Sequence, residues 1–267
     1  MENLFVIKFG GSSITKKEEN KFEINREVLE FAAKELAEAI KQKPELKIAL
    51  VCGVGPFGHT NVVKYNLNNG IKTPEQEKGV KQTNKDCSFV AEEVIKALVK
   101  YKIKTKYVPG YDVCVQDNKK AVSFDAKPYK EALEKGIVPV TTGIMVKDKS
   151  LKWSPMSGDV VIAELARQLA PEKVVMGTDV DGIFTADPKK NPNAELITEI
   201  SKQNLAEVLE RVGESKATDV TGGMKGKLEK LAEQLGGVEA QIFNLLSAGN
   251  LKKALLGQKL ACTRIRL

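Results

Sequence analysis

The run Leu4-Phe5-Val6-Ile7-Lys8-Phe9-Gly10-Gly11-Ser12-Ser13 decides how the remainder of the chain reads. Consecutive apolar residues closed by glycines predict a buried strand that ends in a tight loop. Paired glycines at a strand end let successive backbone N–H groups converge on a phosphate. Lys8, at the strand's edge, can reach across to a phosphoryl group in transfer. Gly-Gly after a strand is as often a plain turn, so the reading rests on whether the pattern recurs.

Apolar runs do recur, at Leu4–Ile7, Ile48–Cys52, Ile137–Val140, Val174–Met176 and Val238–Phe243, most of them separated by segments of helical periodicity. That alternation predicts an α/β fold with a largely parallel sheet covered by helices. Helices are expected at Asn25–Gln42 with Asn25 as N-cap, Thr73–Tyr101 with Thr73 as N-cap and Pro74 at the first helical position, Ala126–Lys135, Ser157–Leu169, Gly223–Leu235 and Leu251–Leu256. Pro109–Phe124 and Thr141–Trp153 read instead as hairpins around Gln116-Asp117-Asn118 and Lys147-Asp148-Lys149. There is no repeat, low-complexity tract or Pro/Gly/Ser linker. Residues 1–267 therefore read as one domain whose two lobes, 1–170 and 171–267, share a continuous sheet.

Composition narrows the function. With 42% hydrophobic residues the 267-residue chain can bury a sizeable core. No apolar run approaches the roughly 18 residues of a membrane span, and Met1 to Lys8 lacks the layout of a signal peptide, so a cytoplasmic protein is expected. Four scattered cysteines (Cys52, Cys87, Cys114, Cys262) and one histidine form no metal cage, and no protein-held metal is expected. The 42 Lys+Arg against 35 Asp+Glu leave +7, which suits an anionic partner. No basic stripe interleaved with aromatics appears, which argues against nucleic acid and for a small anionic substrate.

Three further loops carry chemistry. Gly53-Val54-Gly55-Pro56-Phe57-Gly58-His59 follows the second core strand and leads into a helix. Parallel strands put their C-terminal ends on one side, so this loop should face the first, and two facing phosphate cradles suit a donor and an acceptor. His59, the single histidine, sits at a helix N-terminus, where substrate binding is favoured over a merely structural role. Gly177-Thr178-Asp179-Val180-Asp181-Gly182-Ile183-Phe184, with Asp187-Pro188, can border a ribose or turn over a nucleotide. Asp219-Val220-Thr221-Gly222-Gly223-Met224-Lys225-Gly226-Lys227 is a glycine-rich helix start with two lysines that can meet a triphosphate.

In this order and spacing these segments, with Lys8–Lys17, Ser157-Gly158-Asp159 and Cys262-Thr263-Arg264-Ile265, resemble the amino acid kinase superfamily, and within it the archaeal-type isopentenyl phosphate kinases. The resemblance runs nearly end to end, and its most specific piece is the G-x-G-x-F-G-H segment. It implies a three-layer αβα sandwich with the acceptor in the N-terminal lobe, ATP in the C-terminal lobe, Mg²⁺ with the nucleotide, and a homodimer. By position Lys8, Lys17 and Lys227 would neutralise the transferring phosphoryl group. Gly10, Gly11 and Ser12 would cradle the β- and γ-phosphates, and Lys225 would meet the triphosphate. Thr178, Asp179 and Asp181 would border the nucleotide. Gly55, His59 and Gly158 would hold the acceptor phosphate, with Gly58 and Asp159 also in the substrate site.

The chain departs from that pattern at three places. After the strand at Val138–Val140, relatives carry Gly-Asp, whose aspartate orients the lysines; here Gly143-Ile144 stands, and Asp159 is the candidate to take over. Pro56 in the acceptor loop lacks an N–H. Thr83 and Asn84, on the helix that would cover an isoprenoid tail, are unsatisfied against hydrocarbon unless they turn to solvent. A kinase for another small phosphate or a phosphonate such as fosfomycin, or a catalytically weak nucleotide-binding protein, therefore stays open beside isopentenyl phosphate kinase.

Overall fold

The computed structural model describes residues 1–18, 21–213, 235 and 237–267, with the backbone alone at 17, 18, 21 and 211–213. Its centre is an eight-stranded sheet. Numbered along the chain, its strands are β1 Leu4–Phe9, β2 Lys47–Cys52, β3 Thr105–Tyr107, β4 Val138–Thr142, β5 Lys173–Thr178, β6 Glu199–Ser201, β7 Glu239–Asn244 and β8 Cys262–Arg266. They lie in the order β6-β8-β7-β5-β1-β2-β4-β3. Every neighbouring pair is parallel except β7 and β8. The five strands expected from apolar runs are all here. The short β3 and β6 and the last strand, β8, join them.

Side-chain alternation along each strand divides the core in two. Leu4, Val6, Ala49, Val51, Val174 and Met176 pack beneath the helix Gly158–Leu169, through Val161, Leu165 and Leu169. Phe5, Ile7, Ile48, Leu50 and Val175 pack on the other face against the helices Arg26–Gln42, Pro74–Lys100 and Asn250–Leu256. At about 1.5–3 kcal/mol for each large apolar side chain buried, this double-sided burial holds the three layers together, and the αβα architecture stands.

The expected helices begin where their capping residues put them. Thr73 accepts from Gln76 N while the Gln76 side chain accepts from Thr73 N, a full capping box ahead of Pro74. Ser157 accepts from Val160 N in the same way. Asn25 precedes its helix but makes no capping bond; its Nδ2 donates to Ser13 O at 3.1 Å, tying the helix to the first glycine loop. The helices Pro56–Lys64 and Leu205–Gly213 join them among the described residues, and the expected Gly223–Leu235 helix falls almost wholly outside those residues.

Cys114–Asp117 pairs with Lys120–Phe124 and Ile144–Asp148 with Lys152–Met156, as the turn signals predict. The two hairpins combine into a separate four-stranded sheet. Its hub is Asp148, buried at the end of its strand. Its carboxylate accepts from the backbone N–H of Asn118, Lys119, Ser150 and Leu151 and from Ser154 Oγ, at 2.7 to 3.0 Å. Burial alone would raise its pKa. The hydrogen bonds outweigh that and hold it at about 2, against an ordinary 3.8. A depressed carboxylate stabilises the fold above its unfolded pKa, and that contribution disappears as pH falls from about 4 to about 2. Asp148→Asn is expected to cost about 2 kcal/mol at neutral pH and far less near pH 2, which urea midpoints at the two pH values will show.

Candidate active site

Because β1, β2, β4 and β5 are parallel, the loops that follow them, residues 10–13, 53–55, 143 and 178–181, gather at one edge of the sheet. Phe9 stands in register with both Cys52 and Gly177, and backbone bonds continue past the strand ends: Gly10 N donates to Gly177 O at 2.8 Å and Gly53 N to Phe9 O at 2.7 Å. The first two loops touch through their main chains. A Cβ on Gly53 would fall 2.2 Å from Gly11 N, and one on Gly11 would fall 2.5 Å from Gly55 N, so neither position admits a side chain. Gly55, at φ +49°, also lies in the left-handed region.

Gly10, Gly11 and Ser12 are not equivalent. The Gly10 N–H is committed to Gly177 O, so Gly10 serves close packing and has no donor left for a phosphate. Gly11 and Ser12 open the one-turn helix Gly11–Ile14, whose first N–H groups lack intrahelical partners. The Ser12 side chain donates to Asp179 Oδ1 at 2.8 Å, and Lys189 Nζ is bonded to the other oxygen of the same carboxylate. Burial raises the Asp179 pKa, but these two donors overcome it and the net shift is downward. Thr178 Oγ1 bonds with both Val180 N and O, turning the chain into the loop, and Asp181 is half-buried beside it. Gly182 packs against Thr263 of β8, whose hydroxyl accepts from Ile183 N and donates to Ile197 O.

Lys8 stands beside two of the expected acceptor residues, Gly158 and Asp159. Alternation along β1 puts Lys8 on the face with Leu4 and Val6, under the helix Gly158–Leu169. There its Nζ meets Asp159 Oδ1 at 2.5 Å, with Lys8 about four-fifths buried. Gly158 lies under the lysine stem, its Cβ direction 4.0 Å from Lys8 Cε. The first turn of Pro56–Lys64 carries Gly58, buried, and His59, exposed. Ile144 is 3% exposed, and its Cγ2 lies 2.9 Å from where a Gly110 Cβ would sit, so it packs in the core beside Gly110. Asp159 is thus the carboxylate that the structure gives to Lys8.

Lys17 lies in the strand Thr15–Glu18, and its side chain is outside the description. Lys225 and Lys227 are outside the described residues. Among those described, no group of three or more His, Cys, Asp or Glu side chains could hold a metal, and no helix is long and apolar enough to cross a membrane. All four cysteines are buried and unpaired by disulfide. Lys189 and Thr263 were not among the candidate site residues. Lys189 follows Asp187-Pro188 directly, and that adjacency is the one hint the sequence offers.

Residues 3–244 match the family model described as the amino acid kinase family. The chain is 34% identical over 271 residues to the isopentenyl phosphate kinase of Methanothermobacter thermautotrophicus, covering 98% of each. It is 31% identical to that of Methanocaldococcus jannaschii, covering 96% of each. A solved isopentenyl phosphate kinase structure superposes with a TM-score of 0.80 at 31% identity, over 98% of this chain and 99% of that one. The chain belongs to the amino acid kinase family.

If Asp159 holds Lys8 in place for phosphoryl transfer, Asp159→Asn should lower kcat on the order of 10²-fold with little change in thermal midpoint, since the pair is partly exposed. Steady-state rates and calorimetric melting of the variant check this.

Proposed function

We propose that this protein is an ATP-dependent kinase that transfers the γ-phosphoryl group of ATP to the phosphate of isopentenyl phosphate, giving isopentenyl diphosphate. The observation that carries the reading is the main-chain contact of the two glycine loops beside the Lys8–Asp159 pair, combined with identity to isopentenyl phosphate kinases over nearly the whole chain. Residues 1–170 form the acceptor lobe and residues 171–267 the nucleotide lobe of a cytoplasmic enzyme.

The chemistry follows from charge. A phosphomonoester has its second pKa near ~6, so the attacking oxygen is already anionic at neutral pH and no general base is needed. His59 then acts as a hydrogen-bond donor that aligns the acceptor, together with Gly55, Gly58 and Gly158. The barrier lies in bringing two anions together. Lys8, Lys17 and Lys227 offset that repulsion, with Lys225 on the triphosphate and the Gly11 and Ser12 N–H groups on the β- and γ-phosphates. Thr178, Asp179 and Asp181 border the nucleotide. Mg²⁺ brought with ATP would supply further neutralisation beside these lysines and N–H groups.

The acceptor side also suits a hydrocarbon tail. Val54 and Cys87 pack at Gly58, Val51 at Gly158, and Ile144 and Met156 at Gly110, all within one apolar core. Thr83 and Asn84 do not turn to solvent: Thr83 Oγ1 donates to Gly79 O at 2.7 Å, and the Asn84 amide is bonded to the Met145 backbone. Their polarity is met inside the protein, which removes the main argument for a polar acceptor. We assign a homodimer joined through the N-terminal lobe, which carries exposed Val63, Phe89 and Val99.

The test is ATP-to-ADP turnover with Mg²⁺ and isopentenyl phosphate, dimethylallyl phosphate, fosfomycin or no acceptor, with products identified by mass. Fast, acceptor-dependent formation of isopentenyl diphosphate is expected. Turnover only with fosfomycin, or none above the blank, would overturn the proposal. Lys17→Ala and His59→Ala should each abolish turnover while circular dichroism stays that of the parent; a normal rate in either removes that residue's assigned role.

A further inference from the structure

Asn84 is a polar residue on the face of the Pro74–Lys100 helix that meets the second sheet, and both the oxygen and the nitrogen of its amide are bonded there. Its Oδ1 accepts from Met145 N at 2.9 Å and its Nδ2 donates to Met145 O at 3.2 Å. The reason lies in the strand opposite. Met145 pairs with Pro155 across the hairpin, and proline has no N–H to give. Met145 therefore occupies a non-hydrogen-bonded position, with its N–H and C=O directed away from that partner.

On its other side the neighbouring strand stops short. It pairs only Val115 with Lys147 and Gln116 with Asp148, and residues Gly110–Val113 ahead of it form a helical turn. A backbone position inside the protein is thus left without a strand, and one asparagine supplies both the donor and the acceptor that a strand would have supplied.

The position matters because of its neighbours. Met145 packs with Val80, Leu67 and Ile71 on one face of its strand, so Ile144, one residue earlier, faces the other way. Ile144 and Met156 there close on Gly110, while Val54 and Cys87 close on Gly58, all within one continuous apolar core. That cluster adjoins the acceptor glycines: a Cβ on Gly58 would lie 3.3 Å from Cys87 Sγ, and Gly143, next to Ile144, approaches Gly158 N.

We infer that Asn84 is a positioning residue for the acceptor: by standing in for the missing strand beside Met145, it sets the distance between the helix bearing Cys87 and the strand bearing Ile144, and so the grip on the acceptor's hydrocarbon tail. This rests on the proposed acceptor. The phosphate is held elsewhere, by the glycine loops, so Asn84 acts on the tail and not on the transfer step.

The experiment compares kcat/KM for isopentenyl phosphate with that for methyl phosphate, which has no tail, in the parent enzyme and in Asn84→Ala. The ratio is expected to fall at least tenfold in the variant, through KM for isopentenyl phosphate, while KM for ATP moves by less than twofold. Equal losses on both acceptors, or an unchanged ratio, would overturn the inference and leave the functional proposal intact. A parent enzyme inactive on isopentenyl phosphate would overturn the functional proposal, and the tail assignment with it. Amide hydrogen exchange in the parent needs no variant: the Met145 N–H should be protected like its neighbour Val146, and exchange as fast as an open turn would refute the clamp.

Discussion

The structure depends on backbone meeting backbone at the end of the central strands. Gly10 against Gly177, and Gly11 against Gly53 and Gly55, bring three loops closer together than any side chain would allow. The parallel sheet supplies the common direction, and the absence of Cβ atoms supplies the close approach. A lysine on β1 can then stand within reach of both an acceptor loop and a nucleotide loop. Moving any of these main chains outward by the width of a methyl group would pull the loops apart, and misplacing groups held for reaction by that much is costly.

Two ionic contacts hold the charged groups ready. Lys8 is kept on the helix-covered face by strand alternation and tethered by Asp159, which occupies the first turn of its helix, where a carboxylate is also favoured by the helix dipole. Asp179 links Ser12 of the first loop to Lys189 beyond the nucleotide loop. Each carboxylate lowers the cost of crowding cations at the ends of the central strands. The net charge of +7 acts at longer range, drawing in polyanionic ligands.

Much of this was legible in the residues. The strands β1, β2, β4, β5 and β7 announce themselves as continuous apolar runs because both of their faces are covered, and the glycine loops stand at their ends. Less legible were elements whose existence depends on distant partners. β3 and β6 are three residues each and carry no period to detect. Asn25 has the chemistry of a cap, yet its side chain found a better partner in Ser13 O, across the first loop. Thr83 and Asn84 looked like misplaced polar groups on an apolar helix face. Only the pairing of Met145 with Pro155, a tertiary fact, explains why a hydrogen-bonding side chain is wanted there.

The last strand carries a consequence for how the molecule is made. β8 is inserted between β6 and β7 in the interior of the sheet, and Thr263 on it receives the Ile183 N–H of the nucleotide loop, some 80 residues earlier in the chain. Synthesis delivers residues in order, and segments fold as they emerge. Residues 1–170 can assemble their strands, hairpins and glycine contacts while translation continues. The slot between β6 and β7 stays open until residues 262–266 have cleared the ribosome, so this part of the sheet closes late.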